Sequence, residues 1–428
     1  MKHLLAIAAH SAWHRRGTLV LVMLSIALAT LLLLTLERMR TDIRASFSQA
    51  VSGTDLIVGA RGAPVSLLLY AVFRIGGVTH TVSIASLQAL AEHRAVAWVV
   101  PLTLGDSHRG HPVLGTTPAY FERFRHGDSQ PLALAQGRAF AGTVDGLFEI
   151  VIGAEVAQAQ RYGLGQQLTL SHGLQAGPGG ALSSEHADKP FTVVGVLART
   201  GTPVDRTLHV SLQAIEAIHL DWAAGAPLPG LRIAPEQARK FDLEPKRATA
   251  ALVGLKTRAA VFAVQRHVSD YAAEPLMAVL PGVTLDTLWE VVGVGEGALL
   301  ALSGLVAIVS LAGLVAVVLA GLNERRRELA VLRAVGAGPR HILWLLATEG
   351  ALVTGAGAVL GAALAALLAA AAGPWLQQQF GVTLQLAAPT ATMAYLFAAV
   401  LLAGMLASLV PGIRAYRLSL ADGLSPPA

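Results

Sequence analysis

Imidazoles and carboxylates are the side chains here whose types and spacing could do chemistry. Ten of the 14 histidines fall between His80 and His267. Two stretches concentrate them beside acids: Asp106-Ser-His108-Arg-Gly-His111, and the segment bounded by His172 and His186-Ala-Asp188. Nitrogen and oxygen donors of this kind suit a borderline metal, zinc above all. His108, His111, His172 and His186 are the candidate ligands. The H-x-x-H reads as a loop, and no spacing fixes a third ligand. Scattered histidines are more often solvated surface groups, so the two readings stand side by side.

Other chemistries lack their residues. There is no cysteine, hence no disulfide and no thiolate. Ser11, Ser107 and Ser171 neighbour histidines only in sequence, with no G-x-S-x-G elbow, and no H-E-x-x-H occurs. The phosphate-cradling G-x-x-x-x-G-K-[ST] is also missing. The chain reads as no enzyme and as binding no cofactor of its own.

Composition places these residues in a membrane protein. Hydrophobic residues make up 54% of the 428 and charged ones 14%, against roughly 25% charged in a soluble domain. The deficit gathers in four apolar runs: 17–36, 293–322, 342–372 and 391–413, each long enough to cross about 30 Å of hydrocarbon. The first run is longer than a signal-peptide core and leads into Glu37-Arg-Met-Arg40, which favours a retained anchor. Arginines cluster beside the runs, so the net charge of +5 is a topology signal and not a nucleic-acid footprint. It predicts cytoplasmic ends (1–16 and 414–428), a cytoplasmic segment 323–340, and an outside domain 37–290. Gly373-Pro374 and Pro389 are expected to break the last apolar stretch into two spans around an external loop, 373–390. Gly357 and Gly361 form a G-x-x-x-G, a spacing that could pair two copies. Glu349 sits about one turn inside the third span, where a structural role at a helix interface is the better reading than an ion path.

Residues 37–290 differ in kind. Short β-branched runs at 55–58, 97–100, 148–152 and 191–197 read as strands; 84–93, 154–162 and 212–219 read as helices. Residues 173–190 look like a loop between two strands, and 247–290 carry more helical patterning. The expected fold class is a multi-pass α-helical membrane protein with four transmembrane helices and a large α/β extracytoplasmic domain between the first two.

Segment 323–340 is the dense charged stretch between apolar runs. Leu322, Leu329, Leu332 and Val335 recur at helical spacing, Glu324 and Arg327 pair at i,i+3, and Gly336-Ala-Gly-Pro339 ends the run. Positive-inside charge explains Arg325 to Arg327 but not Glu324, Glu328 or the apolar stripe. A short amphipathic helix here is a handle that a soluble partner could grip.

Glu324-Arg-Arg-Arg-Glu-Leu-Ala-Val-Leu-Arg-Ala-Val-Gly-Ala337 resembles the signature that follows the second span of MacB/FtsX-type ABC transporter permeases, the mechanotransmission type. Phe191-Thr-Val-Val-Gly-Val-Leu197 and Val151-Ile-Gly-Ala-Glu-Val156 are similar to pieces of that family's MacB-like core domain. The resemblance implies a permease subunit of the inner membrane, with a periplasmic core domain. It implies docking of an ABC ATPase dimer, which carries ATP and magnesium, on a coupling helix. Glu324, Arg325, Glu328, Leu329, Leu332, Arg333 and Gly336 would be its contact and shape residues. Further implied partners are a second copy or paralogue, membrane lipids, and a periplasmic adaptor or outer-membrane component. Two alternatives remain open: an FtsX-like regulator of a periplasmic partner, and a permease linked to zinc supply.

Overall fold

A computed structural model describes residues 16–50, 52–77, 80–173, 186–223, 226–228, 232–324, 331–334, 336–380 and 389–417. The chain divides into two compact units. One comprises residues 1–43, 292–376 and 384–428, the other 44–291 and 377–383.

Among the described residues, four helices are long and apolar enough to cross a membrane: Arg16–Gln49, Pro281–Glu324, Pro339–Phe380 and Ala391–Arg417. Glycines set their packing. A Cβ on Gly357 would lie 2.8 Å from the Met23 carbonyl oxygen, and one on Gly361 2.4 Å from that of Ala27. The G-x-x-x-G therefore seats the third long helix on the first within one chain, and is spent there rather than on a second copy. Gly350 faces Ser408 and Gly404 faces Thr354 in the same manner, third helix against fourth. Arg40 Nε donates to Glu296 at 2.9 Å, an ion pair between the first two long helices.

Replacing Gly361 with Leu is expected to force the first and third helices apart at a cost of about 1–3 kcal/mol, the usual range for overpacking. Gly355, whose Cβ would meet nothing within 4 Å, supplies the control Gly355→Leu. Thermal unfolding of the detergent-purified chain reads the difference; equal shifts would mean that the close contact at Gly361 is not what matters.

The Gly373-Pro374 pair does not end the third long helix, which runs on to Phe380 with Pro374 inside it. A proline forfeits one helix hydrogen bond, and in apolar spanning helices the neighbouring turns absorb that loss. Pro374 is also exposed.

The second unit is built on one eleven-stranded mixed sheet. In chain order its strands are β1 (Leu56–Ala60), β2 (Val96–His108), β3 (His111–Thr116), β4 (Leu134–Gly137), β5 (Glu149–Ile152) and β6 (Gln167–Leu168). The remainder are β7 (Ser171–His172), β8 (Phe191–Leu197), β9 (Leu208–Ser211), β10 (Ala250–Leu255) and β11 (Leu276–Val279). Across the sheet the order is β11-β1-β10-β2-β3-β9-β5-β8-β4, with β7 added to β2 and β6 to β8. The two parallel pairs are β3 with β9 and β5 with β8; the other pairs are antiparallel.

The helical patterning read over 247–290 is met by the helix Val261–Ser269 and by the start of the long helix Pro281–Glu324, with the strands β10 and β11 before and between them. Ala250 to Gly254 are all buried. A strand buried on both faces loses the alternation that marks a strand in sequence. From five strands of the sheet, Ile57, Leu102, Leu114, Val151 and Leu252 share one apolar core. That core also takes Phe47, whose ring stacks on Phe73 at 4.1 Å and meets Trp289 edge-on at 5.4 Å.

Candidate functional site

β2 and β3 form a hairpin closed by Arg109 and Gly110, both left-handed at φ 48° and 82°. Two successive positive φ values are what a type I′ two-residue hairpin turn requires. The H-x-x-H expected in a loop thus lies in strands, with His108 opposite His111. His108 turns both ring nitrogens to local partners, Nδ1 to the Thr169 carbonyl at 2.5 Å and Nε2 to the Tyr162 hydroxyl at 2.9 Å. His111 is buried; burial, then the nearby Arg206, hold it down at about 4. Neither joins the other two candidate ligands.

Those two, His172 and His186, come together with Asp106 and His219. The β2–β3 register shifts between Leu104 and Ser107, an irregularity of the kind that re-aims side chains. β7 pairs beyond it and sets His172 opposite Asp106. His172 Nδ1 lies 3.1 Å from Asp106 Oδ1, His219 Nε2 3.6 Å and His186 Nε2 4.0 Å from the same oxygen. His219 arrives from the end of the helix Leu212–Ile218, which starts where the Ser211 hydroxyl accepts from Ala214 N–H. Its Nδ1 meets the Ile215 carbonyl at 2.8 Å.

Trp222 walls the group, its ring centroid 4.2 Å from that of His186, 5.3 Å from His172 and 5.6 Å from His219. Beneath, the fully buried Lys189 donates to both Asp221 oxygens at 2.8 Å and to Asp188 at 2.8 Å. That clamp ties the chain carrying His186 to the chain carrying Trp222. Burial opposes ionisation of Asp106, but hydrogen bonds from His172 and His219 outweigh it and hold the carboxyl at about 2. Burial, then the neighbouring His219, keep His186 neutral, down at about 4. His219 is shifted the other way: burial opposes its charge, and Asp106 more than restores it. Three imidazoles and one carboxylate within 4.8 Å of one another could hold a metal ion.

Local spacing missed Asp106 and His219 as members. Asp106 stood beside the H-x-x-H and was overshadowed by it. His219 lies 33 residues past His186 in sequence, and only the sheet and the helix end bring it back.

Of the charged segment between the second and third long helices, Arg325, Glu328 and Leu329 lie outside the described residues. Glu324 is the last residue of the second long helix. Leu332 is half-buried against the apolar cluster that includes Ile342 and Leu346. Arg333, half-buried beside it, lies on the same helical turn. Gly336, at φ 105°, closes that turn: its N–H donates to the Arg333 carbonyl at 3.0 Å and Ala337 N–H to that of Leu332 at 2.9 Å. This is the two-bond helix ending that favours glycine. Glu349 is half-buried on the third long helix, next to the Gly350–Ser408 contact.

The family model of the MacB-like periplasmic core domain matches residues 17–271, and that of the FtsX-like permease C-terminal region matches 300–420. Among solved structures, the periplasmic region of MacB from Actinobacillus actinomycetemcomitans is 14% identical, with a TM-score of 0.33. The match covers 56% of this chain and 94% of that one. The extracellular domain of the noncanonic ABC-type transporter YknZ from Gram-positive bacteria is 12% identical over 53% of this chain and 98% of its own, with a TM-score of 0.29. No curated protein sequence matches the chain.

Proposed function

As the chain belongs to the MacB/FtsX-type ABC permease family, we propose that it is a transmembrane subunit worked by an ATPase on a separate polypeptide. The observation that carries this reading is the glycine-capped turn at Leu332–Gly336, set between two membrane-long helices at the end of the arginine-rich segment. Glu324, Arg325, Glu328, Leu329, Leu332, Arg333 and Gly336 form the coupling element. Charged groups face the ATPase dimer, while Leu332 keys the turn to its own membrane helices.

ATP-driven closure of the ATPases moves this element. The long helices that begin at Arg16 and Pro281 pass the movement to Phe47 and Trp289, which are packed in the core of the second unit. The output is motion of the extracytoplasmic domain, which drives export or extraction of a substrate. The working unit contains two permease copies, or one and a paralogue, in the bacterial inner membrane with both termini in the cytoplasm. Glu349 serves helix packing. The aspartate–histidine cluster favours one second reading, a permease whose cycle is tied to metal supply.

Co-purification of the tag-free chain with a co-expressed ABC ATPase tests the coupling element. Glu328→Arg is the variant of choice, because Leu332→Asp would also disturb the packing against Ile342 and Leu346. Wild type should retain the ATPase and stimulate its turnover, and the variant should lose both. Retention with unchanged turnover in Glu328→Arg would remove the coupling assignment.

A further inference from the structure

We propose that Asp106, His172, His186 and His219 form an exchangeable zinc site in the extracytoplasmic domain. The site is assembled from β2, β7, the segment just before β8 and the end of the helix Leu212–Ile218, and its test does not rest on the ATPase reading.

The geometry is close to what zinc needs. Tetrahedral zinc, with ligand bonds near 2.0–2.1 Å, sets its donors about 3.3 Å apart. Here His172 Nδ1 lies 3.1 Å from Asp106 Oδ1 and 3.1 Å from His219 Nε2, and the widest separation in the group is 4.8 Å. Closing onto an ion asks each donor to move by about an ångström or less.

The rings are oriented for it. A carbonyl only accepts, so the contact of His219 Nδ1 with Ile215 O puts the ring proton on Nδ1. Nε2 is the nitrogen turned to Asp106, so zinc there would take the place of the proton Nε2 donates, in the arrangement in which a backbone carbonyl orients a metal-binding imidazole. His186 supplies the independent sign. It is wholly buried, and among the described residues neither of its ring nitrogens has a hydrogen-bond partner. Such groups are costly and uncommon in folded proteins. A metal bond to Nε2 relieves it.

Three nitrogens and one oxygen select among ions. Calcium and magnesium take oxygen shells, and copper(I) prefers sulfur. The set suits a borderline divalent ion, and its compact four-donor form suits zinc. The floor of the site is closed, with Asp106 3% and His186 0% exposed, while His172 is 37% and His219 26% exposed. An ion can therefore enter and leave from the solvent side without unfolding the domain. Its arrival would join the segment before β8 to β2 and β7, alongside the Lys189–Asp221 clamp.

The test uses the full-length, tag-free chain in detergent, stripped with chelator and titrated with zinc sulfate. Calorimetry gives stoichiometry, and tryptophan emission reports Trp222, which touches all three histidines. One zinc per chain is expected, with a change in emission. His172→Ala should weaken binding by about tenfold or more, since even outer-shell changes cost that much. It should remove the emission change at zinc levels that saturate wild type, while the zinc-free variant still unfolds in one cooperative transition. His219→Gln is the second variant, in case His172→Ala does not fold. The pair of half-buried His93 and exposed His267, with rings 4.8 Å apart, is the competing surface site, and His267→Ala should leave binding unchanged. No uptake by wild type would overturn the proposal. So would uptake that survives His172→Ala and His219→Gln, or uptake lost in His267→Ala.

Discussion

Lowering the pH from 7 to 4 is expected to weaken the extracytoplasmic domain by about 6 kcal/mol through His209 and His111 alone, roughly 3 from each, with His186, also held at about 4, acting in the same direction. His209 lies on β9 with the rings of Tyr120 and Phe121 at 5.4 and 5.7 Å, and it is fully buried. Burial, then the nearby Arg74, push it down to about 3, against a partial pull upward from the Val151 carbonyl. His111 is held at about 4 by burial and by Arg206. Both are neutral in the fold, and both take up a proton on unfolding once the pH falls below about 6.5. Their contribution is complete above that pH. It is lost progressively as the pH drops toward each folded value, because the unfolded chain then binds more protons. A domain stable by roughly 5–15 kcal/mol has little margin for such a loss. Asp106, held at about 2, adds its own loss only in still stronger acid. Urea unfolding of the detergent-purified chain, followed by tryptophan emission from pH 7.5 to 4, gives the slope. His209→Gln should remove about one proton from it, some 1.4 kcal/mol per pH unit. A flat profile from pH 6.5 to 4.5 would mean that these histidines titrate as exposed ones do.

The parts of this fold that were legible in sequence are those specified by local pattern. Four apolar runs, two without charge and two with a single glutamate each, separate the spanning helices from a mixed α/β region because lipid tolerates so few charges. Phe191 to Leu197 reads as a strand from its β-branched residues, and the structure has a strand over the same residues. Gly336 reads as a helix end because few other residues accept its φ of 105°. What failed depends on neighbours distant in sequence. β10 is buried on both faces and so lost the alternation of a strand. Pro374 looked like a break, yet an apolar helix carries it. Gly357 and Gly361 gave a contact spacing, but not whether the contact would be with Met23 and Ala27 of the same chain or with another copy. The aspartate–histidine cluster was half legible. His172 and His186 stood out beside acids, whereas Asp106 and His219 gain meaning only from the β2 irregularity, the β7 pairing and the end of one short helix. The H-x-x-H drew attention because short spacing is easy to see, and its hairpin sends His108 to Thr169 and Tyr162 instead.

Replacing Lys189 with Met should cost the extracytoplasmic domain about 3–5 kcal/mol, the range for removing one partner from a buried ion pair. Lys189 has no exposure, and its ammonium holds both oxygens of Asp221, a carboxylate only 5% exposed. Burial raises the Asp221 carboxyl, and the hydrogen bonds from Lys189 and from Ile233 N–H outweigh it and hold the group low. Without the ammonium the carboxylate keeps its desolvation and loses its main compensation. Asp221→Asn is the informative counterpart. It leaves Lys189 paired with Asp188 at 2.8 Å, an acid with 31% exposure, so it should cost distinctly less than Lys189→Met. The double variant Lys189→Met/Asp221→Leu should recover part of the loss, because an apolar pair of similar volume often replaces a buried ion pair with little penalty. Urea midpoints at pH 7 separate the three. Equal losses in the two single variants would mean that volume at this position, and not charge, ties the chain bearing His186 to the chain bearing Trp222. The predicted asymmetry would instead make the clamp electrostatic, fixing the wall of the histidine cluster whether or not an ion is bound there.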